Sequence, residues 1–243
     1  MSRHRFLVGE CAEVVSFTAE QAHQIEHVLR LRPGDRVRAF DGVAPIDCVV
    51  ELESAARGRV VDRCPQPPEP RTHLVAYPAL LQRDKFEPVL QKLTEIGAAA
   101  IVPVLTARGV VREAPDAARL QRWSTILREA TEQCGRGTLP ALRPTLPFAA
   151  AIAQAAREGT TLVAYEEEHQ RSLREALRDA TDTISIFVGP EGGFDAEEAR
   201  LAQAGGARLV TLGPRILRTE TASPLLAALV LHERGDLSSW HTP

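Results

Sequence analysis

Two stretches in the last third of the chain combine glycine with charge in a way that suits chemistry. They are Gly189-Pro190-Glu191-Gly192-Gly193 and Gly213-Pro214-Arg215-Ile216-Leu217-Arg218-Thr219-Glu220. Each follows a short apolar run, 184–188 and 208–212, so each reads as a strand, a glycine loop and a helix start. Such loops expose backbone N–H and C=O groups at a strand's C-terminal edge. A small polar cofactor can approach them closely because glycine carries no side chain. A tight turn that uses glycine only for its backbone freedom has the same spacing, so both readings stand. If the two strands are neighbours in one sheet, the loops lie side by side. Arg218 and Glu220 also admit two readings. They form an ion pair that holds the loop, or an arginine fork faces an anionic or electron-rich substrate while the glutamate anchors it or handles a proton.

Other chemistries lack their signatures. The chain has no G-x-G-x-x-G, no phosphate-loop lysine, no G-x-S-x-G elbow and no H-E-x-x-H. Cys11, Cys48, Cys64 and Cys134 contain no C-x-x-C pair, and His23 and His27 have no acidic or cysteine partners at ligand spacing, so no metal is expected. The hydrophobic fraction of 44% beside 25% charged residues is that of an ordinary globular chain. A net charge of −3 does not advertise nucleic acid, although every basic residue except Lys85 and Lys92 is arginine, whose rigid fork suits phosphates. No apolar run reaches the roughly 18 residues of a membrane span, and Met1-Ser2-Arg3-His4-Arg5 does not open a signal peptide. The expected compartment is the cytoplasm.

The elements that must position these loops fall into two grammars. Residues 1–66 read as a small β-rich domain with one helix. Thr18-Ala19-Glu20-Gln21 has capping-box spacing before a helix carrying Ile25, Val28 and Leu29, which ends at Pro33-Gly34. Asp41-Gly42 joins strands 36–40 and 45–52 as a hairpin, and a further strand covers 57–61. Cys64-Pro65-Gln66-Pro67-Pro68-Glu69-Pro70 is too rich in proline for a central strand and marks the boundary. Residues 71–243 then alternate, with strands at 73–77, 99–105, 161–165, 184–188 and 208–212. Helices are expected at 84–95, 116–134, 148–157 and 171–180, from the Asp195/Glu198 cap onward, and at 221–233. Continuous apolar strands between helices make the class α/β, with a parallel sheet covered on both faces.

Several stretches together resemble one family. They are Arg3-His4-Arg5-Phe6, His27-Val28-Leu29-Arg30, Gly34-Asp35, Asp41-Gly42, Gln91-Lys92-Leu93-Thr94-Glu95-Ile96-Gly97, Glu129-Ala130, Glu132-Gln133 and Arg136. The most specific are Gly189 to Phe194 paired with Leu212 to Ala222. The chain resembles the RsmE family of the SPOUT superfamily, bacterial enzymes that methylate N3 of a uridine in 16S ribosomal RNA. The resemblance implies a PUA-like, RNA-binding β-barrel over 1–66 and a SPOUT methyltransferase domain over 71–243. That domain would be closed by a deep trefoil knot, which general topology rules argue against. The resemblance also implies a homodimer with the terminal helix at its interface and the small ribosomal subunit as partner. S-adenosylmethionine would be held at Leu162, Val163, Tyr165 and Glu166, at Gly189, Glu191, Gly192 and Gly193, and at Leu212, Gly213, Ile216 and Leu217. Arg218 would stabilise charge on the reacting base, and Glu220 would position it or act as base. RNA would meet Arg3, Arg5, Arg108 and Arg136. The chain departs from the family pattern at Thr106-Ala107-Arg108, where relatives carry Glu-Arg, so any job of that acidic side chain is missing.

Overall fold

The structure is a computed structural model that describes residues 4–237. The chain divides into two compact units, residues 1–69 with 128–139, and residues 70–127 with 140–243.

In the first unit, strands β1 (Arg5–Leu7) and β2 (Val14–Ser16) precede helix α1 (Ala19–His23). The expected capping box starts that helix. Thr18 Oγ1 accepts from the Gln21 N–H at 3.2 Å, and the Gln21 side-chain oxygen accepts from the Thr18 N–H at 3.0 Å. The helix does not continue regularly to Pro33. It passes into a π turn over Gln24–Val28, and Arg30 then takes a left-handed conformation at φ 55°. Strands β3 (Arg36–Phe40), β4 (Ile46–Ser54) and β5 (Arg57–Pro65) complete a sheet ordered β1-β3-β4-β5-β2, antiparallel except for β1 beside β3. Asp41 shapes the β3–β4 turn, its Oδ1 accepting from the N–H groups of Val43 and Ala44. Strand β5 outruns the expected 57–61 because pairing with β4 holds it as far as Pro65 opposite Ile46. Phe6, Val15, Ile25, Val37, Val50 and Leu52 fill the core of this unit.

The second unit begins with β6 (His73–Pro78), α2 (Phe86–Ile96), β7 (Ala100–Ile101) and β8 (Val104–Leu105). The single strand expected over 99–105 is split, because Pro103 has no N–H to give a ladder. β7 stays in the main sheet and β8 pairs with β10 (Leu146–Pro147). Helix α3 (Ala117–Cys134) follows the expected span, and its residues from 128 onward group with the first unit. Next come β9 (Ala141–Leu142), α4 (Phe148–Glu158), β11 (Thr160–Ala164) and α5 (Leu173–Ala176), the last shorter than expected. The chain continues through β12 (Thr183–Val188), α6 (Ala196–Ala204), β13 (Arg208–Val210) and α7 (Thr219–Glu233).

Six of these strands form a wholly parallel sheet ordered β13-β11-β12-β6-β7-β9. Side chains alternate between two cores, which is why the strands read as unbroken apolar runs. Leu74, Leu162, Ile184 and Ile186 pack with Leu90 of α2 and Leu226 of α7. Val75, Tyr77, Val163 and Phe187 pack with Phe148 of α4 and Ala202 of α6. Tyr77 and Phe187 stack at 4.3 Å between ring centroids.

Candidate active site

The two glycine loops do not hang from neighbouring strands. β11 lies between β12 and β13, so the loop after β11 enters as a third wall. Together the three loops and the start of α7 enclose a cleft of about 300 Å³ at the C-terminal edge of the sheet. That edge, where strand order turns back on itself, is where open α/β sheets place ligands.

Each wall has a local cause. After β11 come Tyr165, Glu166 and His169. After β12, Gly193 turns at φ 66°, a left-handed conformation that favours glycine, and a Cβ there would displace the Glu166 carboxylate. After β13, Gly213 turns at φ 100° and donates its N–H to Thr211 Oγ1 at 3.1 Å. α7 starts two residues earlier than expected, which puts Glu220 in its first turn, and Thr219 Oγ1 donates to the Gly189 carbonyl at 2.8 Å. The β12 loop is held from outside as well. Arg108 Nη1 donates to the Gly192 carbonyl at 3.1 Å, and Lys85 Nζ lies 3.1 Å from Glu191 Oε1. Glu198 forms the capping box with Asp195 and also accepts the Ala107 N–H at 2.8 Å. The parts played by Thr219 and Lys85, and the contact of Glu198 with Ala107, were not legible in the sequence, because each depends on a segment far away in the chain.

The expected cofactor residues divide. Tyr165, Glu166, Gly189, Glu191, Gly192, Gly193, Leu212, Gly213, Ile216 and Leu217 all line the cleft. The side chains of Leu162 and Val163 do not; they are fully buried in β11, one in each core, so that only the backbone of this strand is left for the largely main-chain contacts expected there. Ile216 is 92% exposed at the lip, an apolar side chain with nothing over it. Burial, with the Tyr165 hydroxyl donating to Glu167 at 3.0 Å beside further carboxylates, raises the proton affinity of that phenol.

Arg218 and Glu220 stand at the mouth. Arg218 Nη1 is 3.9 Å from Glu220 Oε1, too long for a hydrogen bond, and the arginine side chain is 84% exposed. An exposed contact of that length contributes little as a clamp. Glu220 is 27% exposed, and its Oε2 is buried without a hydrogen-bond partner, which is costly for a carboxylate unless something else meets it.

Two of the residues expected at the RNA make internal contacts. Arg5 is buried; its Nε and Nη2 donate to the Asp47 carboxylate, and its Nη1 to the carbonyls of Thr131 and Arg136. Arg136 is 10% exposed and donates to Glu69 from Nε and Nη2. Arg5 is held inside by internal acceptors, and Arg136 is half-buried with its guanidinium engaged by Glu69. Arg108 lies beside the cleft, and Arg3 falls outside the described residues. Among the described residues no group of His, Cys, Asp or Glu could hold a metal ion, and no helix is long and apolar enough to cross a membrane.

A parallel sheet whose adjacent strand-end loops open a glycine-lined cleft, with arginine and glutamate at its mouth, is the architecture of an RNA methyltransferase domain, and residues 67–231 match that family's model. Within that class, the chain belongs to the ribosomal RNA small subunit methyltransferase E family. It is 32% identical to the Bacillus subtilis member over 94% of this chain and 93% of that protein. The structure of the Neisseria gonorrhoeae member bound to S-adenosyl methionine superposes with a TM-score of 0.85 at 30% identity, covering 94% of this chain and 97% of that one. A Legionella pneumophila protein solved with SAM bound gives a TM-score of 0.86 at 26% identity, covering 96% of this chain and 98% of that one.

Proposed function

We propose that this chain transfers a methyl group from S-adenosylmethionine to N3 of a uridine in 16S ribosomal RNA. The observation that carries the reading is the three-walled cleft with Arg218 and the unpartnered Glu220 carboxylate at its mouth. The cleft suits this cofactor. Glu166 and Glu191 give the walls negative charge for a cation, the glycine loops offer backbone groups, and Ile216 offers apolar surface that gains by being covered. Gly189 to Gly193, Leu212, Gly213 and Leu217 would hold it, with Tyr165 and Glu166 on the third side. When bound, S-adenosylmethionine supplies an activated sulfonium methyl.

The protein's own task is to align the base and manage one proton. The N3–CH3 bond forms as the sulfur–CH3 bond breaks, and the N3 proton must leave. Loss of that proton builds negative charge on the two flanking carbonyl oxygens, and the exposed Arg218 guanidinium is the group to stabilise it. Glu220 has an oxygen with no other partner and is suited either to accept the proton or to orient Arg218. N3 belongs to the pairing edge, so the uridine must be unpaired or extruded first.

The same reading assigns the first unit as a PUA-like RNA-binding barrel and the second as a knotted SPOUT domain in the cytoplasm. The course of the chain supports the knot. Residues 211–218 leave the edge strand β13 and pass β11 to the end of β12, after which α7 packs against β12, β6 and α2. A homodimer is supported by the half-buried Leu225, Ala228 and Leu229 on α7. The deciding experiment offers unmodified small subunits and free 16S RNA to the enzyme and maps the product by fragmentation mass spectrometry. Methyl on uracil N3 is expected; methyl on a ribose or a guanine would change the substrate, and no incorporation would end the reading.

A further inference from the structure

The first unit contains a second crevice, of about 290 Å³, that methyl transfer does not use. Its walls come from β1, from the π turn after α1 and from the C-terminal part of α3. Phe6 and Leu29 give it apolar surface, while Gln24, Glu129, Glu132 and Gln133 give it carboxylate and amide groups.

Charge narrows the occupant. The guanidinium in the wall, Arg5, has its donors committed to Asp47 and to the carbonyls of Thr131 and Arg136. A phosphate entering here would meet the carboxylates of Glu129 and Glu132, with His4 and the already engaged Arg5 as the wall's basic groups. A neutral group bearing N–H donors fits instead. Glu132 Oε1 already accepts the Leu7 N–H at 2.8 Å, which fixes the carboxylate in place, and burial raises its proton affinity above the usual range. A half-buried carboxylate of this kind is stabilised by neutral N–H donors delivered without water.

The backbone gives an independent sign. Gln24 begins the π turn, a feature that recurs at functional sites, and Arg30 just beyond it is held in the left-handed region that a long side chain adopts only at a cost.

We infer that this crevice captures one unpaired guanine of the RNA substrate, its N1–H and 2-amino groups donating to Glu132 while Gln24 and Gln133 meet the rest of its edge. Guanine is selected because it alone among the four bases presents two adjacent N–H donors to a carboxylate. Adenine and cytosine present a single amino group, and uracil flanks its N–H with carbonyls that repel one. Single-stranded bases read on their pairing edge are the usual basis of sequence-specific RNA recognition. The inference rests on the RNA-methylation reading and adds a base-selecting contact in the other unit.

The test uses the full-length chain and short single-stranded uridine oligonucleotides carrying one central guanine, hypoxanthine or adenine, with binding read by fluorescence anisotropy at fixed salt. The guanine oligonucleotide should bind roughly tenfold tighter than all-uridine, with hypoxanthine between them and adenine giving no gain. Glu132→Gln should erase the guanine advantage, and Gln133→Ala, a change at an exposed side chain, should weaken it. If Glu132→Gln proves unstable by thermal melting, Gln24→Ala and Gln133→Ala carry the test. No guanine preference in the wild type, or a preference that survives all three substitutions, overturns the inference. S-adenosylmethionine calorimetry and methyl incorporation on the wild type separate the two readings. Normal methylation without guanine preference sinks the crevice alone, and guanine preference without cofactor binding sinks the methyl-transfer reading alone.

Discussion

Replacing Asp47 by alanine should open the first unit while leaving the second closed. Arg5 and Asp47 have side chains only 4% and 1% exposed, joined by contacts of 2.7, 2.8 and 3.0 Å. Removing the carboxylate leaves a guanidinium in the core without its counter-charge, a loss of about 3–5 kcal/mol when one partner of a buried pair is deleted. Two features pull the figure toward the lower end. The carbonyls of Thr131 and Arg136 still accept from Nη1, and the guanidinium carbon sits 3.7 Å from the Phe40 ring centroid. Arg38, 3.7 Å from Asp47 and partly exposed, adds little, and Gln66 Nε2 loses a 3.0 Å bond. The expected loss is about 3 kcal/mol, or roughly a hundredfold rise in the population of the opened unit. Cys48, 1% exposed in the same core, reports that opening through its rate of alkylation, resolved by peptide mass spectrometry; Trp123 fluorescence reports the second unit separately. Asp47→Asn, which keeps the shape and one acceptor, should cost less, about 1–3 kcal/mol. The double variant Arg5→Met with Asp47→Leu should recover most of the protection, because an apolar pair of similar volume needs no counter-charge. A change below about 1 kcal/mol in Asp47→Ala would refute the reasoning. So would an Arg5→Ala variant that loses RNA affinity while Cys48 stays as protected as in the wild type.

Other outcomes follow from the cleft and from the second unit. Arg218→Ala should lower turnover by about 10²–10³ while leaving S-adenosylmethionine affinity in calorimetry unchanged, since the guanidinium stabilises charge that appears only during reaction; equal loss of both would remove Arg218 from the mechanism. Gly193→Ala forces a side chain into the left-handed region at about 1–2 kcal/mol and displaces Glu166, so cofactor affinity should fall by roughly tenfold, and unchanged affinity would show that the loop is not where the cofactor sits. Asp236 accepts from the N–H groups of Arg71 and Thr72 at 3.0 and 3.2 Å; burial opposes its ionisation, yet those donors outweigh it and its pKa is lowered. A lowered folded-state pKa means stability that is present above the unfolded value of 3.8 and lost as pH falls through the folded one. The melting temperature of the wild type should therefore drop more than that of Asp236→Asn on acidification below about pH 4, and parallel curves for the two would count against the pin.

What the sequence determined by itself is what local chemistry and short-range periodicity dictate. The capping boxes at Thr18 and Asp195 form because their partners are three residues away. The apolar runs at β6, β11 and β12 become strands covered on both faces because nothing else accommodates side chains that are apolar on both sides. The glycine loops and the charges around Arg218 were legible as strand–loop–helix junctions with two open readings, a tight turn or a ligand site, and the fold brings them together around one cleft. Tertiary structure alone decided the rest. It placed β11 between the two glycine loops, because strand order is set by which crossovers pack together, and that brought Glu166 against Gly193. It also paired Arg5, expected at the RNA, with buried Asp47, and half-buried Arg136 with Glu69, acceptors that lie far from them in the chain. A charge's role depends on whether water or a protein acceptor surrounds it, and only the folded chain determines which.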